Sequence, residues 1–227
     1  MADAIAKAGL AGVYSYAGRT EAPMGQPIHM RVGGFGGVEG LVAYLQAEKI
    51  THVIDATHPF AAQMSANAVA ACAATGTPLI ALERAPWTPG EGDRWTHVPD
   101  IPAAVTALNG PPQRVFLAIG RQHLDPFAAQ PQHHYLLRLV DPPTGPLPLP
   151  QAQVIVARGP FDLAGDTALM QSHGTQILVA KNAGGKGAVA KIAAARVLGL
   201  PVIMIDRPVI PQRPVARSVK DVLAWLG

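Results

Sequence analysis

The sequence predicts an α/β architecture of two similar lobes with mostly parallel sheets, on three observations. Short apolar runs alternate with helical stretches along the whole chain, and neighbouring parallel strands need such crossovers. The runs "VFLAI", "QILVA" and "PVIMI" are apolar throughout, as strands covered on both faces are. Finally, one pattern occurs twice. "THVIDATHPF…CAATGTPLIALERAP" and "TQILVAKNAGG…RVLGLPVIMIDRPV" both run strand, polar tip, Ala-rich helix, Gly-x-Pro, strand, acid-Arg-Pro. Thr51 aligns with Thr175, Gly76 with Gly199 and Arg84 with Arg207, at offsets of 124, 123 and 123.

In order, "ADAIAKAGL" reads as an Ala-rich helix at the start, followed by a strand over 12–17 that runs into "SYAGRT". A second strand, 28–32, leads through "GGFGG" into a helix over 38–48. The third, 51–55, carries the strand formers Val53 and Ile54, ends in "DATHPF" and passes into a helix over 60–74. A fourth follows at 78–82. The stretch 84–112 holds six prolines with Trp87 and Trp95, so a lobe boundary is expected near 110, past a helix over 100–108. Strands at 114–119, 134–139 and 153–157 come next, the last two separated by the proline loop "DPPTGPLPLP". A helix at 161–173, a strand at 176–180, "KNAGGKGAVAK" opening a helix at 186–198, a strand at 201–205 and a helix at 218–226 complete the chain.

Composition narrows the function. Of 227 residues, 49% are hydrophobic and 15% charged, well below an ordinary charged share of about 25%, so disorder is excluded. The net charge of +3 is scattered and aromatics are 5%, which argues against a nucleic-acid partner. A mild positive excess suits a small anionic ligand where the charges converge. The single cysteine, Cys72, lies in an Ala-rich helix and reads as a small buried apolar residue in a reducing cytoplasm. No apolar run reaches the roughly 18 residues of a membrane span, and the start has no signal-peptide core. The eight histidines show no HxxxH pattern and there is no CxxC, so no metal site is expected. Nor is there a GxSxG nucleophile.

The candidate sites sit at strand ends, where open α/β sheets bind ligands. In "SYAGRT", Ser15 and Thr20 offer hydroxyls, Gly18 admits close backbone approach, and Arg19 presents a fork for phosphate; an ordinary polar turn would read the same. The loop Gly33, Gly34, Phe35, Gly36, Gly37 enters a helix whose N-terminus attracts anions, although it is not GxGxxG. In Asp55, Ala56, Thr57, His58, Pro59, Phe60, the acid and hydroxyl could cap the following helix, while His58 alone titrates near neutrality. "KNAGGKGAVAK" brings Lys181, Asn182, Gly184, Gly185 and Lys186 to a helix start without forming a P-loop. "GRQHL" and "RGPF" repeat a strand-then-Arg theme, and Arg121, Arg138 and Arg158 would extend a basic wall.

Taken together and in this order, "SYAGRT", "GGFGG", "DATHPFA", "ERAPW", "RGPF" and "VAKNAGG…LGLPVIMIDRP" resemble the precorrin-6A reductase family of cobalamin biosynthesis, over nearly the whole chain. That resemblance implies two Rossmann-like lobes with a cleft between them, an NADPH-binding one at 1–110 and a tetrapyrrole-facing one at 111–227. It implies NADPH as cofactor and hydride transfer to one double bond of precorrin-6A, giving precorrin-6B. Ser15, Gly18, Arg19, Thr20, the Gly33–Gly37 loop and Asp55 through Phe60 would lie on or near NADPH. Arg121, Lys181, Asn182, Gly184, Gly185 and Lys186 would face the carboxylate-rich ring. His58 and Lys181 are the candidates for delivering the accompanying proton. The family's opening strand and Gly-rich turn have no counterpart before "ADAIAKAGL"; the native start is expected upstream, or another segment fills the gap. A monomer is expected. Two other readings stand beside this one: an NADP-dependent reductase or dehydrogenase of another polyanionic ring, and a non-catalytic two-lobed binding protein for a nucleotide or anionic tetrapyrrole.

Overall fold

The structure, a computed structural model, describes residues 1–18 and 23–227. The first elements are α1 (Ala2–Lys7), β1 (Val13–Tyr16), β2 (His29–Val32), α2 (Gly37–Ala47), β3 (Val53–Asp55), α3 (Ala62–Thr75) and β4 (Leu79–Leu82). Then come β5 (Arg94–Val98), α4 (Ile101–Ala107), β6 (Arg114–Ala118), β7 (His134–Leu139), β8 (Ala152–Val156), α5 (Leu163–His173) and β9 (Ile177–Lys181). Last are α6 (Ala190–Val197), β10 (Pro201–Ile205), β11 (Val215–Ala216) and α7 (Val219–Leu226). Two 3₁₀ turns, Arg121–His123 and Asp125–Ala129, follow β6.

The chain forms two compact units, Met1–Ala85 with Val209–Gly227, and Pro86–Pro208. This division differs from the boundary expected near 110. The reason is β5, hidden in the proline-rich stretch, which pairs in parallel with β10 from Pro201↔Arg94 to Ile205↔Val98. Residues 209–227 return to the first unit because β11 pairs with β4.

In the first unit β1 pairs with β2, and β3 and β11 flank β4; every pairing is parallel. Among the described residues no strand joins these two sheets. Helix α3 meets α2 through Ala68, Ala71 and Cys72, small residues that let Leu41 and Leu45 approach closely. Burial raises the Cys72 thiol pKa, so the thiol stays protonated and unreactive. A second cluster, Ile80, Ala216 and Val222, seats α7 on β4 and β11.

The second unit holds one six-stranded parallel sheet, ordered β5-β10-β9-β6-β7-β8. Its core includes Phe116, Leu136, Met170, Leu178, Ile192 and Met204, all at most 1% exposed. From β6 the chain moves outward through β7 and β8, then crosses back to β9 and proceeds the other way to β10. This reversal makes the carboxyl ends of β6 and β9 a topological switch point, where Rossmann-like sheets hold ligands.

Candidate functional site

Three polar tips in the first unit came from the sequence, and the structure describes most of them. Arg19 and Thr20 lie outside the described residues. Ser15 is on β1, opposite Arg31 on β2, and Gly18 follows the strand with φ of +75°. The Gly33–Gly37 loop ends in Gly36, the N-cap of α2, at φ of +81°.

Asp55, the last residue of β3, is only 6% exposed. One carboxyl oxygen accepts from the Thr57 amide at 3.1 Å and from the Thr57 hydroxyl at 2.7 Å. The other faces Arg213 Nε at 3.5 Å but has no hydrogen-bond donor. Arg213 also pairs with Glu83, which Arg217 approaches from its other side. The idea that Asp55 and Thr57 cap the next helix is therefore corrected. Helix α3 starts later than expected, its N-cap is Ala61, and no side chain caps it. Thr57 instead reaches Ser65 Oγ inside the first turn, at 3.2 Å. Ala56, Thr57 and His58 are exposed and Pro59 is buried. The Phe60 amide donates to His58 Nδ1 at 3.2 Å, which places the proton of the neutral ring on Nε2.

In the second unit the tips stand at the switch point. Arg121, in the turn after β6, is exposed and donates to Thr144 Oγ1 at 3.0 Å. Lys181 ends β9 and is 8% exposed. Asn182 is also buried, and both ends of its amide meet Trp87: Oδ1 accepts from the Trp87 amide at 2.8 Å and Nδ2 donates to the Trp87 carbonyl at 2.9 Å. Gly184 and Gly185 have φ of +67° and +71°, and Lys186 is exposed.

Residues not proposed as site residues from the sequence hold this loop. The Trp87 indole donates to the Gly185 carbonyl at 2.8 Å, and Arg207 donates to the carbonyls of Asn182 and Ala183 at 3.0 and 3.2 Å. Lys191 Nζ donates to the Ala188 carbonyl at 2.7 Å, 5.2 Å from the centre of the Trp87 ring. Burial first, and then the Arg138 charge, pull the Lys191 pKa down to about 8, with Asp166 opposing. Arg138, expected in a basic wall, is half-buried, paired with Asp166 and stacked 3.6 Å over the Phe161 ring. Arg158 pairs with Asp141 at 2.9 Å.

Asp100, Asp162 and Ser218 cap α4, α5 and α7 with their own side chains. Helices α1, α2, α3 and α6 have no side-chain cap, and the last three of these follow the motif loops. Their first-turn amides and the positive end of each dipole suit an anionic ligand. Among the described residues no cluster of three His, Cys, Asp or Glu could hold a metal ion, and no helix is long and apolar enough to cross a membrane.

The profile of the precorrin-6x reductase family CbiJ/CobK matches residues 1–227. The precorrin-6A reductase of Rhodobacter capsulatus is 64% identical, over all of this chain and 90% of its own length. That of a Sinorhizobium species is 49% identical over 92% of this chain and 80% of its own. The cobalt-precorrin-6A reductase of Priestia megaterium is 31% identical, over 82% and 76%. A solved structure of CobK precorrin-6A reductase superimposes with a TM-score of 0.96 at 64% identity, covering 99% of this chain and 90% of that one. With its parallel sheets and its motif loops at their carboxyl ends, the chain belongs to the precorrin-6x reductase family.

Proposed function

We propose that this chain reduces one double bond of precorrin-6A to give precorrin-6B, with NADPH as reductant, as a cytoplasmic monomer. The observation that carries the reading is the placing of uncapped helices α2, α3 and α6 directly after the glycine loop, "DATHPF" and "KNAGGKG". The first unit's residues fit a dinucleotide. Among the described residues, chain neighbours aside, no atom stands within 4 Å of where a Cβ would sit on Gly34, Gly36 or Gly37, so these residues leave the backbone open to a phosphate. NADPH, when bound, supplies the hydride.

The protein's part is to hold and to protonate. In this reading Arg19 and Thr20 take the 2′-phosphate, the Gly33–Gly37 loop takes the dinucleotide backbone, and Ala56, Thr57 and His58 line its approach. Arg121, Lys181, Lys186 and the amides of Gly184 and Gly185 take ring carboxylates through charge-assisted bonds. Asn182 serves that surface by anchoring it to Trp87. Either His58 or Lys181 delivers the single proton that accompanies the hydride. The relatives' shared naming as reductases favours catalysis over a carrier role.

The test is oxidation of NADPH on supplying precorrin-6A, with NADH in parallel. Turnover with NADPH and a much weaker response to NADH are expected; binding of both partners without turnover supports the carrier instead. His58→Ala retaining full turnover would remove His58 as donor. Arg19→Ala should weaken NADPH more than NADH.

A further inference from the structure

We propose that Arg31 is a positioning residue that preforms the Gly33–Gly37 loop for the dinucleotide, an inference that rests on the NADPH reading above. Arg31 is on β2, and no phosphate motif includes it. Its guanidinium donates to Ser15 Oγ at 2.8 Å, to the Gly33 carbonyl at 2.9 Å and to the Gly34 carbonyl at 3.1 Å. Its carbon lies 3.9 Å from the centre of the Phe35 ring and 5.2 Å from that of Tyr44. Those two rings meet edge to face at 5.1 Å.

A loop with four glycines in five residues loses much conformational entropy when ordered. Arg31 meets that cost before any ligand arrives. A trans peptide points its C=O and N–H in opposite directions. With the carbonyls of Gly33 and Gly34 turned to the guanidinium, the amides of Gly34 and Phe35 aim away from it. Neither amide is taken by another group among the described residues. Two adjacent donors, just ahead of an uncapped helix, are a fit for a phosphate.

A second contact fixes the same loop from below. The Phe35 carbonyl lies so close to α2 that a Cβ on Gly40 would stand 1.7 Å from its oxygen. Phe35 is thus held by Arg31 on its ring and by Gly40 under its carbonyl. Arginine suits the first task because one planar fork reaches three acceptors while stacking on an aromatic face; lysine has no such fork.

The experiment titrates NADPH into the unliganded parent, Arg31→Ala, Arg31→Lys and Gly40→Ala, and follows amide hydrogen exchange in each. Arg31→Ala is expected to weaken NADPH at least tenfold and Arg31→Lys at least threefold. The loss should fall on KM for NADPH rather than on kcat or on KM for the ring. Unliganded Arg31→Ala should exchange faster at 33–37 and unchanged in the second unit. Gly40→Ala should weaken NADPH in the same direction. If Arg31→Ala does not fold, Arg31→Lys decides alone. A parent that binds NADPH beside arginine variants within twofold of it overturns the role of Arg31 only. A parent that binds no NADPH overturns the cofactor reading, and this role with it.

Discussion

Asp55 puts a carboxyl group where little of it meets water, and its two oxygens have separate partners. One organises Thr57; the other depends on Arg213. Removing one member of a buried ion pair strands the other and costs about 3–5 kcal/mol. Arg213→Met should lower first-unit stability by that order in urea unfolding, and adding Asp55→Asn should recover part of it. A loss under about 1 kcal/mol would show that the pair is not the anchor. From sequence, Asp55 and Thr57 could be flagged but not assigned. A cap, a ligand and a buried pair all use the same residue types, and Arg213 lies far along the chain. His173 supplies a pH prediction. It is buried, and burial, Arg114 and His134 hold its pKa below the ordinary value. A histidine whose folded pKa is depressed contributes stability above its unfolded pKa, near 6.5, and loses it as pH falls toward the folded value. The melting temperature should therefore fall below about pH 6.5, and His173→Gln should flatten that fall; parallel curves for the two proteins would count against it.

At the scale of elements, the apolar runs were legible because burial on both faces leaves little choice of residue. All seven helices read from the sequence are present, with ends moved by up to a few residues. Strand β5 was not legible. It lies at the sheet edge, and its "RWTHV" exposes Arg94, Thr96 and His97, so it lacks the apolar signature of its neighbours. Strand β11 has two residues and carries no pattern. The "KNAGG" loop was legible as a polar tip at a strand end, but its supports were not, since Trp87 and Arg207 come from separate segments. Trp87→Phe keeps the ring and deletes the indole N–H that holds the Gly185 carbonyl. It should cost about 1 kcal/mol and quicken amide exchange over 183–188. The ring substrate's KM should rise while NADPH affinity holds; unchanged exchange there would mean that the loop stands without the indole.

For the molecule as a whole, the repeated strand–helix–strand pattern was a sound guide. Both β3–α3–β4 and β9–α6–β10 are parallel pairs around a helix, and Gly76 and Gly199 both take left-handed backbone after it. The copies diverge at the tips. Arg207 holds the carbonyls of the second tip, whereas Arg84, its counterpart in the alignment, is exposed and the first tip relies on Arg213. The compact units divide elsewhere than near 110 because β5 and β11, which pair with β10 and β4, come from outside the repeat. That division also has a consequence for biogenesis. As the ribosome releases the polypeptide from its amino end, residues 86–208 are contiguous and can close on themselves, while the other unit waits for residues 209–227. Until then β4 lacks β11, and the acid of the "DATHPF" tip lacks its cation. A chain halted after Pro208 should emerge with its second unit protease-resistant and its first unit digested and unable to take up NADPH, so the earliest-made part of this enzyme is the last to mature.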